Sequence, residues 1–188
     1  MVNSCEKGKR GEREWAKFCR ACGFTGCRRG QQHSGIEGED VVGIPGIHQE
    51  VKREQKLNID EAMAQSIRDA NGDDIPVVFH RKNLERSKEG KAQFYRGWKA
   101  TLRVEDFINS RLYSGTEKII SYSTSESKCL NLDKALAQSI RDAHTNGIPA
   151  VYHRKNVKQS EEDSERFYRG WKVTMRAEDF LALWRKTE

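Results

Sequence analysis

Two acidic residues and a lysine are the residues in this sequence best suited to chemistry. Glu50 follows Asp40 by ten residues, and Lys52 follows Glu50 by two. Side chains two residues apart on a strand leave the same face, so Glu50 and Lys52 point together. Paired carboxylates offer the hard oxygen atoms that Mg²⁺ and Mn²⁺ prefer, and a neighbouring ammonium offsets negative charge on a substrate. A purely structural salt-bridge patch is the alternative interpretation of the same three residues.

A turn between two short apolar segments is predicted to bring these side chains together. Residues 40–43 and 47–53 are separated by three residues that include a Pro-Gly pair, which suits the central positions of a type II turn. We therefore predict a β-hairpin in which Asp40 lies opposite or diagonal to Glu50. The valine and isoleucine residues around the cluster indicate a hairpin that packs in the core.

A helix near the start of the chain is predicted to carry a further carboxylate. Residues 8–22 carry apolar side chains at the spacing of an amphipathic helix, namely Trp15, Phe18, Cys19 and Cys22. Glu12 lies along the same face, where a buried carboxylate needs a metal or a basic residue as its partner. Alternatively, Glu12 is a first-turn residue that the helix dipole stabilises and that turns towards water.

A tandem repeat occupies more than half of the chain. Residues 57–107 (the first copy) and 130–180 (the second copy) align without a gap at an offset of 73, and 31 of 51 positions are identical. Each copy has the pattern helix, strand, strand, helix. In the first copy a loop is predicted at residues 84–93 and the second strand at 95–102, and a further strand is predicted at 118–122 between the copies. We therefore predict an α/β protein with a first domain at 1–112, a linker at 113–129 and a duplicated helix-strand-strand-helix lobe at 130–188.

The second copy lacks the acidic cluster. At the offset of 73, the positions of Asp40, Glu50 and Lys52 are taken by Tyr113, Ser123 and Ser125. The first helix has no second copy either. The second copy therefore cannot form another site of this kind, and we expect it to contribute packing or contacts with a partner.

The acidic cluster and its surroundings resemble a known family. Asp40 followed by Glu50-Val51-Lys52 resembles the Asp…Glu-X-Lys signature of the restriction-endonuclease-like, or PD-(D/E)XK, nucleases. GKRGEREW at residues 8–15 is similar to the first helix of the archaeal-type Holliday-junction resolvases and their phage relatives. RRGQQHSG at residues 28–35 is similar to the loop before their acidic strand. The resemblance runs from about residue 8 to residue 107, in the same order and spacing.

The resemblance assigns positions to individual residues. Glu12 falls on the family's helix glutamate, while Glu14 lies one helical step beyond it, so either of the two can face a metal. Ser34 falls on a serine that these resolvases use, and Gln65 matches the glutamine of the helix after the Glu-X-Lys strand. Glu39 stands where the family often has proline, at a position that is not a ligand.

The resemblance implies a fold and an activity. The fold is restriction-endonuclease-like, with a mixed central sheet flanked by helices, and residues 1–112 form the nuclease domain. The activity is that of a metal-dependent, structure-selective DNA endonuclease that leaves 5′-phosphate and 3′-hydroxyl ends. The implied ligands of Mg²⁺ or Mn²⁺ are Asp40, Glu50, the carbonyl of Val51, and Glu12. The other implied catalytic residues are Lys52, which orients the water, and Ser34 and Gln65, which place the phosphate or the water.

The implied substrate is branched or four-way DNA, and symmetric cutting of such a junction implies a homodimer. A nickase or a restriction-type endonuclease would carry the same cluster, and the sequence does not distinguish these substrates. The competing class is a non-catalytic DNA-binding accessory protein whose acidic cluster is structural.

The charge of the chain is compatible with a polyanionic partner. Thirty-four Lys and Arg against 28 Asp and Glu give a net charge of +6 and a pI near 9.1. Basic residues flank the proposed site and recur at strand ends of both copies, where a solvated basic edge and a DNA contact are equal alternatives. The candidate DNA-binding residues are Lys7, Lys9, Arg10, Arg28, Arg29, Arg81, Lys82, Arg154 and Lys155.

Composition argues against membrane and export classes. No apolar run approaches the roughly 20 residues that cross a bilayer, and the first residues lack the apolar segment of a signal peptide. We expect a cytoplasmic protein with reduced thiols, no membrane partner and no organic cofactor. A zinc site is the weaker alternative for the cysteines, because their spacing is unusual for one. Its residues would be Cys5, Cys19, Cys22, Cys27 and His33.

Overall fold

The computed structural model contains five helices and nine strands within the part of the chain that it describes. The described residues are 4–30, 39–82, 95–110, 119–121, 125–126, 131–143, 147–154, 167–168 and 170–186. The helices are α1 (Ser4–Ala21), α2 (Ile59–Asp69), α3 (Val104–Asn109), α4 (Leu132–Asp142) and α5 (Ala177–Arg185). The strands are β1 (Arg28–Arg29), β2 (Val41–Val42), β3 (Ile47–Glu54), β4 (Ile75–Lys82), β5 (Lys99–Arg103), β6 (Ile119–Ser121), β7 (Ser125–Glu126), β8 (Ile148–Arg154) and β9 (Lys172–Arg176).

Seven of these strands form one mixed sheet. Their order is β3-β4-β5-β9-β8-β6, and β7 also pairs with β8. β3 runs parallel to β4, and β6 and β7 run parallel to β8, while the pairs β4-β5, β5-β9 and β8-β9 are antiparallel. β1 and β2 form a separate antiparallel pair. The prediction of an α/β protein with a mixed sheet flanked by helices is confirmed.

The two faces of the sheet have different cores. On the face covered by α1 and α5, the ring centroid of Trp15 lies 4.2 Å from that of Phe79 of β4, and Phe180 lies 5.6 Å from Phe79. Burial of these large aromatic groups supplies the main apolar stabilisation of this face. The opposite face lies under α2 and α4 and contains buried polar side chains on the central strands, namely His80, Lys99, Thr101, His153, Lys172 and Thr174.

Strands of both copies share the middle of the sheet. β5 pairs with β9, and Thr101 lies opposite Thr174, which is its own equivalent at the offset of 73. Antiparallel pairing of equivalent strands about equivalent residues places an approximate two-fold axis between them. The predicted linker at residues 113–129 therefore joins two parts of one continuous sheet.

The predicted hairpin is wrong in its pairing. β2 pairs with β1 and β3 pairs with β4, so no ladder joins β2 to β3 within the described residues. The physical reason is that both residues of the short strand β2 pair with β1. On the edge of β3 away from β4, the Asp40 carboxylate rather than a strand accepts from the Val51 N–H. The turn itself is present, since Gly46 has a φ of +70°, as the second central position of a type II turn requires.

Other predicted elements differ mainly at their ends. α1 begins at Ser4 rather than at residue 8, and β5 begins at Lys99 rather than at residue 95. The strand predicted at 118–122 is present as β6. The segment at 84–93, expected to be a loop, lies outside the described residues. Among the described helices, none combines the length and the apolar character that a membrane crossing requires.

Candidate active site

Asp40 is fixed beside the edge strand β3 by backbone contacts on both sides. The Gly30 N–H donates to the Asp40 carbonyl oxygen at 2.9 Å, and a Cβ at residue 30 would collide with the carbonyl oxygen of Glu39, so only glycine fits there. The backbone N–H of Val51 donates to Asp40 Oδ2 at 2.9 Å. β3 is the edge strand of the sheet, so Asp40 supplies an acceptor to a backbone group that no further strand satisfies.

Glu50 and Lys52 leave β3 on the same face and touch each other. Lys52 Nζ forms an ion pair with Glu50 Oε1, and it also donates to Gln65 Oε1 of α2 at 3.2 Å. Glu50 is only 2% exposed, whereas Lys52 is partly exposed. Four predicted site residues, Asp40, Glu50, Lys52 and Gln65, therefore lie together at one edge of the sheet.

The electrostatics of this group favour a bound cation. Burial raises the pKa of Asp40. Burial, assisted by the nearby Asp40 carboxylate, raises the pKa of Glu50 to about 7. Burial alone would lower the pKa of Lys52, but the neighbouring carboxylates, with Glu50 the strongest of them, together raise it. Two buried carboxylates that oppose each other's ionisation are stabilised by additional positive charge close to both.

The two glutamates of α1 have different partners. Glu12 is 8% exposed and forms an ion pair with Arg29, and the charge of Arg29 also opposes the rise in the pKa of Asp40. One carboxylate oxygen of Glu14 lies 3.0 Å from a guanidinium nitrogen of Arg53, and the other lies 2.6 Å from a guanidinium nitrogen of Arg81. Glu12 is thus the glutamate linked to the acidic cluster, through Arg29, while Glu14 ties α1 to β3 and β4. Glu12 as a metal ligand stays a prediction.

Sequence reasoning missed two residues beside the cluster. Asp69 of α2 is close enough to raise the pKa of both Asp40 and Glu50. His48 is fully buried on β3, and neither of its ring nitrogens has a hydrogen-bond partner among the described residues. Simple spacing points to both, because Asp69 follows Gln65 by one helical turn and His48 precedes Glu50 by two strand positions.

The predicted DNA-binding residues fall into three groups. Arg29 and Arg81 are engaged by Glu12 and Glu14, and Lys9 lies 3.4 Å from Glu6 in an exposed pair. Lys82, at the end of β4, lines a cleft together with Lys56 and the start of α4. The exposed members are Arg10, Arg28 and Arg154. Ser34, Lys155 and the side chain of Lys7 lie outside what the structure describes.

In the second copy, the residue equivalent to Lys52 has the same strand partner but a different side chain. Ser125 of β7 lies opposite His153, just as Lys52 lies opposite His80. The second copy has one more residue between the matched pairs, because Ser121 already pairs with Ala150, whereas Gln49 pairs with Val77. The residues between Ser121 and Ser125 are Tyr122, Ser123 and Thr124, so the sequence offers no acid in this stretch.

The candidate zinc ligands and the carboxylates offer different donor atoms. Of the candidate zinc ligands, His33 and the side chain of Cys5 lie outside what the structure describes. Cys19 and Cys27 are buried and share a hydrogen bond. Within the described ranges, no group of three or more His, Cys, Asp or Glu side chains is arranged to hold a metal ion. Asp40 and Glu50 offer two carboxylates, and Mg²⁺ commonly binds one or two carboxylates and fills its other positions with water and substrate phosphate oxygens.

Comparison with known proteins gives no family for this chain. No protein-family model matches it, and neither a curated protein nor a solved structure is significantly similar to it. The function therefore has to be argued from the chemistry of the site.

Proposed function

We propose that this protein is a metal-dependent, structure-selective DNA endonuclease of the Holliday-junction-resolvase type. It would hydrolyse phosphodiesters to leave 5′-phosphate and 3′-hydroxyl ends. The observation that carries the proposal is the group formed by Asp40, Glu50 and Lys52, which is braced by Gln65 at the edge of a mixed sheet. The resemblance of the same residues to the Asp…Glu-X-Lys signature supports it, and a restriction-endonuclease-like fold is part of the proposal.

The metal would be Mg²⁺ or Mn²⁺, held by Asp40 and Glu50 with the Val51 carbonyl and Glu12 as further candidate ligands. When bound, such an ion neutralises phosphate charge and makes water a better nucleophile. The raised pKa values of both carboxylates support this assignment, because burial disfavours their negative charge and a nearby cation offsets that penalty.

The protein's own side chains would hold the substrate and the water. Lys52 keeps its proton at neutral pH and places a positive charge beside the carboxylates, where negative charge develops during hydrolysis. Gln65 fixes the direction of the Lys52 ammonium from α2. The burial of Glu50 strengthens these interactions, since charges act more strongly in a site that excludes water. Ser34 is proposed to place the phosphate or the water.

The test is cleavage of supercoiled plasmid with Mg²⁺ or Mn²⁺, with and without a chelator. We expect nicked or linear product that chelation abolishes. Asp40→Asn and Glu50→Gln should remove cleavage, and each should leave the circular dichroism spectrum and DNA binding nearly unchanged. Ser125→Ala, at the equivalent strand position of the second copy, is the matched control and should cleave like the wild type. Normal cleavage by Asp40→Asn would overturn the assignment.

A panel of labelled DNA substrates identifies the preferred structure. Four-way junction, flap and plain duplex of the same sequence are compared at equal concentration, and the proposal expects the junction to be cut fastest. Preference for one duplex sequence would instead indicate a restriction-type enzyme.

A DNA-binding accessory protein is the second candidate, and one observation favours it. Asp40 and Glu50 already have partners within the chain, in the Val51 N–H and Lys52, as a structural cluster would. On this hypothesis the protein binds DNA in a mobility-shift assay, cleaves none of the substrates with either metal, and binds equally well after Glu50→Gln.

A further inference from the structure

The two copies contact each other through reciprocal ion pairs. Lys99 Nζ of β5 lies 2.7 Å from Asp133 Oδ1 of α4, and Lys172 Nζ of β9 lies 2.8 Å from Asp60 Oδ1 of α2. The members of the second pair are the equivalents of those in the first at the offset of 73. A lysine of each copy is therefore neutralised by the aspartate of the other, which is the pattern of a two-fold interface between identical subunits.

Hydrogen bonds repeat this pattern. The Tyr95 hydroxyl donates to Glu178 Oε2 at 3.0 Å, and the equivalent Tyr168 hydroxyl donates to Glu105 Oε1 at 2.9 Å. Four backbone bonds between the copies form two further reciprocal sets, namely Tyr95 N–H to Asp133 O, Tyr168 N–H to Asp60 O, Val104 N–H to Trp171 O and Ala177 N–H to Trp98 O.

A row of four buried side chains crosses the two-fold axis. His80 Nε2 lies 2.9 Å from Thr101 Oγ1, the two threonine hydroxyl oxygens lie 2.7 Å apart, and Thr174 Oγ1 lies 2.8 Å from His153 Nε2. His80 and His153 are 5% and 4% exposed, so this row is the interior of an interface. Every side chain that forms these reciprocal contacts is identical in the two copies, whereas the positions of the acidic cluster differ completely.

The interface uses the surface through which a single copy would pair with another chain. In a homodimer of the first copy, β5 would lie against β5 of the partner with Thr101 at the axis, and here β9 occupies that place. Among the described residues, Ile108 is the only large apolar side chain that is exposed. A stable dimer interface generally needs an apolar centre, so a second one has little described surface to form on.

We infer that this chain is an internally completed dimer, which works as a monomer with one cutting site and therefore makes one single-strand cut per binding event. The inference rests on the proposed nuclease function. It replaces the homodimer expected from the resemblance, because the second copy takes the place of the partner without bringing a second set of acidic ligands.

Mass measurement tests the first half of the inference without requiring cleavage. Light scattering on the full chain alone, at micromolar concentrations, should give a mass near 21.6 kDa. With a four-way junction added, and a chelator present to prevent cleavage, the mass of the complex should correspond to one protein chain per junction. A mass near twice this value, or two chains per bound junction, would overturn it.

Product analysis tests the second half. A four-way junction labelled on each strand should yield molecules cut in one strand, and supercoiled plasmid should pass through nicked circles before any linear form appears. Linear plasmid that forms at the same rate as nicked circles would show coupled cuts and defeat the inference. Absence of any cut product with either metal would count against the proposed function instead, and the mass result would still decide the assembly.

A mixing experiment separates a monomer from an exchanging dimer. Wild-type protein is mixed with increasing amounts of Glu50→Gln protein while the DNA stays in large excess. For a monomer, the rate per wild-type chain and the ratio of nicked to linear product remain constant. A ratio that shifts towards nicked product as the variant is added would reveal subunits that share a cut, and would contradict the inference.

Discussion

Gln65 and Gln138 occupy equivalent positions on α2 and α4, but their side chains have different partners. Gln65 accepts a hydrogen bond from Lys52 at 3.2 Å, whereas Gln138 donates to Asp142 of its own helix at 2.8 Å. The five residues from the glutamine to the following aspartate are identical in the two helices. The neighbouring strand makes the difference, because β3 carries a lysine at the register position where β7 carries Ser125.

On the proposed function, this comparison separates the residues that the fold needs from those that the chemistry needs. Residues that join the copies, such as Lys99 and Asp133, are kept in both, because each copy completes the core of the other. The carboxylates are present once only. Such a buried carboxylate lowers the stability of the fold, as Glu50 illustrates. Its pKa of about 7 means that the folded protein without a cation disfavours the charged form of this side chain. A copy that does no chemistry gains stability when it lacks such a group.

Replacement of the strand lysine should give the largest contrast between the copies. Lys52→Ala removes the ammonium that pairs with Glu50, and we expect cleavage to fall about a thousandfold. Ser125→Ala at the equivalent position should stay within about twofold, an effect smaller than about 0.5 kcal/mol on the barrier. Single-turnover rates on one labelled junction measure both. Equal losses in the two variants would remove the distinction between a cutting copy and a supporting copy.

The buried lysines should instead behave alike. Lys99→Met and Lys172→Met each leave an aspartate buried without its main partner, so the free energy of unfolding should fall by about 3 kcal/mol in both. Lys99→Met should be the milder, because Lys82 remains 3.9 Å from Asp133. Urea titration followed by circular dichroism measures the change. Adding Asp133→Leu to Lys99→Met should recover stability. An unchanged free energy of unfolding in Lys172→Met would contradict the reciprocal arrangement.

Gln65 and its equivalent Gln138 provide a matched pair of variants that tests the contact with Lys52. Gln65→Ala frees the Lys52 ammonium, and we expect a loss of cleavage of about 10- to 100-fold, in the range found for groups that orient catalytic residues. Gln138→Ala breaks only a contact within α4 and should leave the rate unchanged. Gln65→Glu, which can still accept from Lys52, should retain more activity than Gln65→Ala. The same loss in all three variants would indicate a general effect on folding.

The metal concentration that cleavage requires should depend on pH through the first copy alone. Glu50 has a pKa of about 7 before a cation binds, so a proton competes with the metal below that pH. The Mg²⁺ concentration for half-maximal cleavage should rise about tenfold per pH unit as the pH falls below about 7, and should level off above it. A metal requirement that is constant between pH 5.5 and pH 8.5 would argue against Glu50 as a ligand.

The tyrosines should show the smallest effects. Tyr95→Phe and Tyr168→Phe each remove one hydroxyl that donates to a glutamate of the other copy, and each should cost about 1 kcal/mol of folding free energy. The more exposed Tyr168 contact should be the weaker of the two. Thermal unfolding measures stability and the rate of cleavage serves as a second readout, since neither hydroxyl bonds to a residue of the acidic cluster. A large change in cleavage with no change in unfolding would contradict this division.

The sequence predicted the cluster better than the path of the chain that builds it. Alternation along a strand was enough to place Glu50 and Lys52 on one face, and it remained correct because it is a property of β3 alone. Asp40 reaches β3 as expected, but through a side-chain bond to Val51 rather than through a hairpin ladder. Pairing partners depend on contacts among all strands, and no local pattern shows that β2 pairs with β1 rather than with the free edge of β3.

The repeat likewise predicted elements but not their assembly. Helix, strand, strand and helix occur in both copies, yet the pairing of β5 with β9 depends on contacts between residues 73 positions apart. Thr101 and His80 are polar residues in strands, and nothing in their local sequence shows that Thr101 meets its own equivalent in the core or that His80 contacts Thr101. Sequence identity between the copies was the available signal, because a surface that meets its own duplicate must keep matching residues on both sides.

The central pairing of β5 and β9 has a consequence during synthesis. At roughly 5–20 residues per second, the ribosome needs about 4–15 s to add the 73 residues that separate equivalent positions of these strands. Throughout that interval one edge of β5 is unpaired, and during its first half Asp133, the partner of Lys99, has not yet been made either. Neighbouring ribosomes on one message bring such edges close together, and each β5 offers the other the same antiparallel match about Thr101 that β9 will later supply. The nascent protein is therefore most exposed to mispairing between chains just before its own second half emerges.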